Sequence, residues 1–131
     1  MIRYAENRPL DPRAIAILYI AAGVENAITS HEQIQKMYEN SNLVISAWDG
    51  SRLVGVARAL TDLAYCCYLS DLAVDKKYQG LGIGSSLLTL IQKSIGVNGS
   101  LILLSSPQAS NFYERLGFRR LTNGYIGKGI L

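Results

Sequence analysis

Short runs rich in apolar and β-branched residues recur along this chain, with the length and composition typical of β-strands. Residues 1–5 alternate between apolar and polar side chains, and residues 43–48 and 52–59 form two further runs. Asp49-Gly50 separates the last two runs and is a strong signal for a hairpin turn, because glycine tolerates a positive φ. We therefore predict an antiparallel hairpin across this turn.

Helices are predicted between and after these strands. Asp11 can cap the start of a first helix that ends at Gly23, and Ser30 can cap a second. Apolar residues at helical spacing predict a third helix over residues 85–95. A short fourth helix is predicted over 109–116.

Residues 65–74 have the composition of one long strand whose apolar pattern changes phase near Ser70 and Asp71, which predicts a β-bulge. Short strands are also predicted over 101–104 and 118–121. The order of these elements predicts an α/β (α+β) fold in a single domain, residues 1–131. We expect about four helices to flank a mixed sheet of about six strands.

Composition and charge narrow the function classes. The chain has 131 residues, and its net charge of +3 is too small and too dispersed to indicate nucleic-acid binding. The N-terminus lacks the pattern of a secretory signal and no stretch has the length of a membrane span, so we expect a cytoplasmic protein. The adjacent Cys66 and Cys67 stand in an apolar run, which favours buried thiols, and we expect no metal site.

A glycine-rich turn, Gly80-Leu81-Gly82-Ile83-Gly84, precedes the third helix. Unpaired N–H groups and the positive end of a helix meet at such a turn, which is typical of a phosphate site. A P-loop requires Lys before the Ser or Thr that follows its glycines, and here Ser85 follows Gly84 directly. A dinucleotide site requires a different glycine spacing and a later acidic residue, and both are missing. A tight turn that binds no ligand is the remaining alternative.

Two segments resemble the cofactor motifs of the GNAT superfamily of N-acetyltransferases. The first is Gln79-Gly80-Leu81-Gly82-Ile83-Gly84, which is similar to the segment that holds the pyrophosphate of acetyl-coenzyme A (acetyl-CoA). The second runs from Ala109 to Phe118, includes the sequence NFYERLGF, and is similar to the family's second cofactor motif. The order and separation of the two segments also match, so the resemblance covers most of the chain.

The resemblance implies a fold and a set of cofactor contacts. The sheet would be mostly antiparallel and splayed at its central strands, with pantetheine lying along the long strand and one amide, that of Leu72, facing the thioester oxygen. The implied cofactor-binding residues are Leu72, Ala73, Val74, Gln79, Gly80, Leu81, Gly82, Ile83, Gly84, Ser85 and Ser106. Ser106 stands where the family often has Asn, so that contact differs from the usual pattern.

The resemblance also implies catalytic roles. Tyr113 occupies the position of the family's general acid, and Asp71 lies where some relatives carry an acid that contacts the amine. The alternatives for Asp71 are a strand carboxylate with ordinary hydrogen bonds and a surface charge that faces a helix. Tyr68 either lines the acceptor site or packs in the sheet. Glu25 and Asn26 are expected to approach the acceptor. His31 begins a helix, where polar residues are ordinary, so it is not expected to act as a base.

The function implied is transfer of an acetyl group from acetyl-CoA to a small-molecule or peptide amine. A non-catalytic domain that binds or senses acyl-CoA is the alternative, and retention of Tyr113 argues against it. Other acyl donors are a further alternative that the motifs do not separate. The glycine-rich C-terminal segment leaves the last sheet edge weakly specified, which leaves room for a homodimer.

Overall fold

A computed structural model provides the structure of this chain and describes residues 1–24 and 27–129. The strands and helices are, in chain order, β1 (Ile2–Glu6), α1 (Pro12–Ala22), α2 (His31–Glu39), β2 (Leu43–Asp49), β3 (Arg52–Thr61), β4 (Cys66–Val74), α3 (Ile83–Ile95), β5 (Ser100–Leu103) and α4 (Ser110–Arg115). Short 3-10 helices, Lys76–Tyr78 and Pro107–Ala109, precede α3 and α4.

The sheet has the strand order β1-β2-β3-β4-β5. The pairs β1–β2, β2–β3 and β3–β4 are antiparallel, whereas β4 and β5 are parallel. The predicted mixed and mostly antiparallel sheet is therefore confirmed. The predicted hairpin is confirmed too, with Gly50 at a φ of 60° in its turn.

The described residues form five strands, where about six were predicted, because residues 118–121 are not a strand. The backbone N–H of Phe118 donates to the carbonyl of Tyr113 at 3.0 Å, which turns the chain back onto the end of α4. The Phe118 ring then packs edge-on against Tyr113, with centroids 5.6 Å apart. Contacts with α4 thus replace the ladder that a sixth strand would need.

Helices cover the two faces of the sheet and create two apolar clusters. The α3-side cluster joins Leu87 and Ile91 to β-strand residues such as Ala59 and Leu69. The second cluster, on the α1/α2 side, joins Ile15 and other residues of α1 and α2 to the opposite face. Asp11 and Ser30 cap α1 and α2 as predicted, each accepting a backbone N–H. No helix of residues 1–24 and 27–129 has the length and apolarity needed to cross a membrane.

Candidate active site

The long strand β4 contains the predicted bulge. Arg58 of β3 is opposite Asp71, whereas the next residue, Ala59, is opposite Leu69, so Ser70 has no counterpart on β3. The extra residue changes the phase of the strand. Leu69 and Leu72 consequently pack against the same α3-side cluster although three positions separate them.

The sheet opens beyond the bulge. Pairing between β4 and β5 extends to Leu69 and Leu103, after which β4 continues to Val74 while β5 ends. A gap therefore separates the second half of β4 from the chain that follows β5. This is the splay that the family resemblance implied.

The backbone of β4 directs alternate polar groups into this gap. The N–H of Asp75 donates to Val54 on β3 at 2.9 Å, whereas the carbonyl of Val74 accepts from the Gln79 side chain at 2.9 Å. Successive residues of a strand direct their N–H and C=O groups to opposite sides. The N–H of Leu72 therefore shares the direction of Val74, away from β3 and into the gap.

The glycine turn lies at the start of α3, directly after the 3-10 helix that follows β4. Gly80 and Gly82 have φ values of 83° and 82°, which favour glycine. Within the described parts of the chain, the first N–H of α3 with a carbonyl partner is that of Ser86, which donates to Gly82 at 3.0 Å. The preceding N–H groups of the turn remain available to an anion.

Some residues of this turn face the space open to a ligand, whereas others pack against the rest of the protein. A Cβ added at Gly82 would meet no atom of the described residues within 4 Å, so that position is open to a ligand. A Cβ added at Gly84 would lie 3.2 Å from Phe112 Cζ, so Gly84 allows α4 to pack against α3. Leu81 is exposed, whereas the side chain of Ile83 is in the core, so only the backbone of Ile83 can face a ligand.

Tyr113 lies on α4, on the same side of the sheet as α3. Its half-buried ring packs between Phe112 and Phe118, with centroid distances of 5.1 and 5.6 Å. Burial raises the pKa of Tyr113, so the phenol stays protonated well above neutral pH. Within residues 1–24 and 27–129 the Tyr113 hydroxyl makes no hydrogen bond. Ser106 is exposed at the start of the segment that leads into α4.

Asp71 lies on the opposite face, among residues of α1, α2 and β3. Its Oδ2 accepts from Arg58 Nε at 2.5 Å and from the Tyr19 hydroxyl at 2.9 Å. The Tyr19 hydroxyl also bonds that of Tyr38 at 2.6 Å. Burial raises the pKa of both phenols, so both remain protonated and neutral. The Asp71 side chain keeps 26% of its surface exposed and can still be reached from solvent.

Comparison with known proteins identifies the family. The model of the acetyltransferase (GNAT) domain matches residues 15–131. The chain belongs to the GNAT family. The predicted resemblance is therefore confirmed.

Relatives agree with this membership. Histone acetyltransferase TAP1 of Glycine max is 32% identical over 127 residues, which cover 92% of this chain and 48% of the soybean protein. The chain thus spans about half the length of that relative. The structure of protein SA2161 from Staphylococcus aureus, described as a probable acetyltransferase, superposes with a TM-score of 0.85 at 25% identity, covering 100% of this chain and 99% of that one.

The GNAT fold is also that of a coenzyme-bound structure. AAC(6')-Iy in complex with the bisubstrate analogue CoA-S-monomethyl-acetylneamine superposes with a TM-score of 0.74, covering 100% of this chain and 99% of that one. At 12% identity this likeness concerns the fold alone.

Asp71 and the residues around it, Arg58, Tyr19 and Tyr38, form what we call the Asp71 cluster. An apolar row crosses three strands of the GNAT sheet beside this cluster. Leu60, Tyr68 and Ile102 are direct neighbours in the register of β3, β4 and β5. They are 41%, 37% and 42% exposed, so α1 and α2 leave this part of the sheet face open. Tyr68 therefore borders solvent, as an acceptor-lining residue would.

Five further residues for which the sequence makes a prediction are Glu25, Asn26, His31, Cys66 and Cys67. Glu25 and Asn26 lie outside the described residues. His31 is exposed at the first position of α2. The prediction of two buried thiols is wrong for Cys66, which is exposed, and right for Cys67, because adjacent strand residues face opposite sides of the sheet.

Sequence reasoning missed Arg58, Tyr19 and Tyr38, which surround Asp71. One signal was present, because Arg58 interrupts an otherwise apolar run on β3. A charged residue at a core-facing position of a strand requires a partner. Which carboxylate would supply it depends on the pairing of β3 with the bulged β4.

Proposed function

We propose that the protein transfers the acetyl group of acetyl-CoA to a primary amine by direct attack of the amine on the thioester. The observation that carries this proposal is the gap beside β4, which leads from the glycine turn toward the bulge. Such a gap suits a cosubstrate with an anionic end and an extended, amide-bearing arm.

The residues present fit this cosubstrate. The N–H groups of residues 80–85 would hold the pyrophosphate, with Ser85 as an additional hydroxyl donor. The carbonyl of Leu72 and the N–H of Val74, which also face the gap, would pair with pantetheine. Gln79 holds the turn to the end of β4 through its bond to Val74. Ser106, exposed across the gap, would supply the polar contact that Asn supplies in other members.

The chemistry requires two proton movements. The amine nitrogen bonds the carbonyl carbon, the carbon–sulfur bond breaks, and the departing thiolate takes the proton of the Tyr113 hydroxyl. The Leu72 N–H would stabilise negative charge on the carbonyl oxygen. Asp71 would attract the amine or hold the water that receives its proton, through the oxygen not bonded to Arg58 and Tyr19. Solvent restores the proton of Tyr113.

A direct assay tests this function. The protein would be mixed with acetyl-CoA and a panel of primary amines, while thiol release and acetylated product are measured. We expect stoichiometric thiol and N-acetyl product with at least one amine, and parallel reactions with other acyl-CoA donors would define donor choice. Calorimetric binding of acetyl-CoA with no turnover across the panel would instead favour an acyl-CoA-binding domain.

We propose that the acceptor approaches over the apolar row. The row borders the bulge on the face that carries Asp71, so an amine near Asp71 would place its body on Leu60, Tyr68 and Ile102. The acceptor would then be a small-molecule or peptide amine with an apolar body. Its further identity depends on loops, which sheet geometry does not define.

Acceptor chain length is expected to control KM. Along a series of n-alkylamines, KM should fall by up to about fourfold per methylene, because each buried methylene contributes about 0.8 kcal/mol. In Tyr68→Ser this dependence should flatten, while acetyl-CoA affinity stays unchanged. Tyr65→Ser is the control, because Tyr65 is 74% exposed outside the row. If the KM of the wild type does not depend on the alkyl chain length of the amine, the apolar row is excluded as an acceptor contact.

Turnover is expected to need no metal ion. Within residues 1–24 and 27–129 no group of three or more His, Cys, Asp or Glu side chains is arranged to hold one. Dialysis against EDTA should leave kcat unchanged, as measured by thiol release. A loss of activity that a divalent ion restores would contradict this prediction.

We further propose a cytoplasmic protein that acts without nucleic acid or membrane, and a homodimer formed through the outer edge of β5. The edge position of β5 in the sheet order supports the second proposal. Sedimentation equilibrium would test it, since a monomer at micromolar concentration would exclude the dimer.

A further inference from the structure

We propose that Arg58 is a positioning residue for acetyl transfer, because it holds the bulge at Ser70 and thereby keeps the Leu72 N–H directed into the gap. Arg58 is on β3, outside both cofactor motifs. The effect on catalysis rests on the proposed function, whereas the effect on strand register can be measured without turnover.

Three donors of Arg58 bond three partners around the bulge. Nη2 donates to Ser70 Oγ at 2.7 Å, Nε donates to Asp71 Oδ2 at 2.5 Å, and Nη1 donates to Ser41 Oγ at 3.1 Å. Ser70 is the unpaired residue of the bulge and Asp71 is the residue at which pairing resumes. One guanidinium thus bonds both residues at which the register changes, and its planar fork sets their relative positions.

The helices hold the same group from the other side. Tyr19 of α1 donates to Asp71 Oδ2, and the ring of Tyr38 of α2 lies with its centroid 5.6 Å from Arg58 Cζ. Ser41, which follows α2, donates to the Met37 carbonyl at 2.7 Å and so ties the guanidinium to that helix. Arg58 itself is only 8% exposed, so water competes little for these bonds.

The register of β4 decides which amides reach the gap. If the bulge closed, Ser70 would pair with Arg58 and Leu72 would pair with Val56. Because strand groups alternate with a period of two, the Leu72 N–H would then turn toward β3. The turn at residues 80–85 belongs to the start of α3 and would keep its N–H groups. Loss of Arg58 should therefore reduce kcat more than acetyl-CoA affinity.

Two substitutions of Arg58 separate its charge from its geometry. Arg58→Met removes the charge and all three donors but keeps an unbranched stem, and Arg58→Lys keeps the charge but replaces the fork with one ammonium. In the wild type, cross-strand NOEs should connect Leu69 with Ala59 and Asp71 with Arg58, leaving Ser70 unpaired. We expect Arg58→Met to lose this pattern and Arg58→Lys to weaken it.

Kinetics provide the second measurement. We expect kcat to fall about 10- to 100-fold in Arg58→Met and by less in Arg58→Lys, since small displacements in an active site have effects of this size. The Kd of coenzyme A should rise by no more than about tenfold, because the pantetheine bonds to β4 weaken while the N–H groups of residues 80–85 still hold the pyrophosphate, and the calorimetric stoichiometry reports the folded fraction. A general loss of folding would lower the stoichiometry of coenzyme A binding. Misplacement of the Leu72 N–H would instead lower kcat while the binding stoichiometry stays at the wild-type value.

Two serines provide matched variants in case Arg58→Met fails to fold. Ser70→Ala removes the bond to the bulge and should lower kcat, whereas Ser94→Ala removes a serine bond between α3 and Glu6 of β1 and should not. Arg58→Lys and Ser70→Ala variants that keep both the NOE pattern and wild-type kcat would overturn the proposal. If the wild type shows no turnover, the proposed function fails, and the NOE pattern alone then decides whether Arg58 holds the bulge.

Discussion

Replacing Tyr113 with phenylalanine should lower kcat by at least about tenfold while acetyl-CoA still binds, because general acid catalysis contributes about 10²–10⁴-fold. The Tyr113 hydroxyl makes no hydrogen bond to any described residue, so its removal breaks no structural contact there. The ring keeps its packing against Phe112 and Phe118. A coenzyme A thiolate can leave without assistance, so we expect impairment and not complete loss.

Tyr4→Phe is the matched control for this experiment. Tyr4 is also half-buried against the α3-side cluster, but it lies on β1, at the far edge of the sheet. Removal of the Tyr4 hydroxyl should therefore leave kcat unchanged. If Tyr113→Phe retains full kcat when chemistry limits the rate, another donor protonates the sulfur.

The pH dependence should separate the two proton movements. Burial raises the pKa of Tyr113, which extends the range of the protonated, donating form upward. An alkylamine acceptor has a pKa of about 10.4 and attacks only when neutral, so activity should rise with pH through the neutral range. This rise should persist in Tyr113→Phe at a lower level, because it reports the acceptor and not the phenol.

Replacing Gly82 with valine should weaken coenzyme A binding by about 100-fold or more, as expected if two charge-assisted hydrogen bonds to phosphate are lost. Gly82 lies at the start of α3 with a φ of 82°, and the space beside it is open. A branched side chain there would occupy the volume in front of the N–H groups. Isothermal titration calorimetry with coenzyme A measures the effect directly.

Gly96→Val controls for backbone strain. Gly96 lies at the other end of α3 with a φ of 77°, and a Cβ added there also meets no atom within 4 Å in the part of the chain that the structure describes. Gly82 has a ψ of 10°, in the left-handed helical region, whereas Gly96 has a ψ of 179°, in a region that is essentially restricted to glycine, so Gly96→Val should lose at least as much stability as Gly82→Val. Only Gly82→Val should lose affinity. Equal coenzyme A affinity in the two variants would show that the pyrophosphate does not bind at this turn.

Local rules were sufficient to predict the parts of the site that one segment builds by itself. The hairpin depended on a two-residue turn, and the bulge depended on a change of phase that places Leu69 and Leu72 on one face. The glycine turn depended on positive φ at Gly80 and Gly82, which few other residues tolerate. Each of these features is determined by backbone conformation within a few residues.

Long-range packing decided the rest, because it depends on which faces meet after the chain has folded. Residues 118–121 had strand-like composition, but the fold of Phe118 onto Tyr113 removed them from the sheet. The contact of Gly84 with Phe112 required two helices to cross at that point.

The Asp71 cluster shows the same division within the candidate site. The sequence by itself determined a strand with a carboxylate beside a bulge, because hydrophobic alternation and its change of phase are local properties. Only the tertiary structure decided that Arg58, Tyr19 and Tyr38 would surround that carboxylate. These residues come from β3, α1 and α2, and their contact depends on strand register and helix packing, which sequence spacing does not encode.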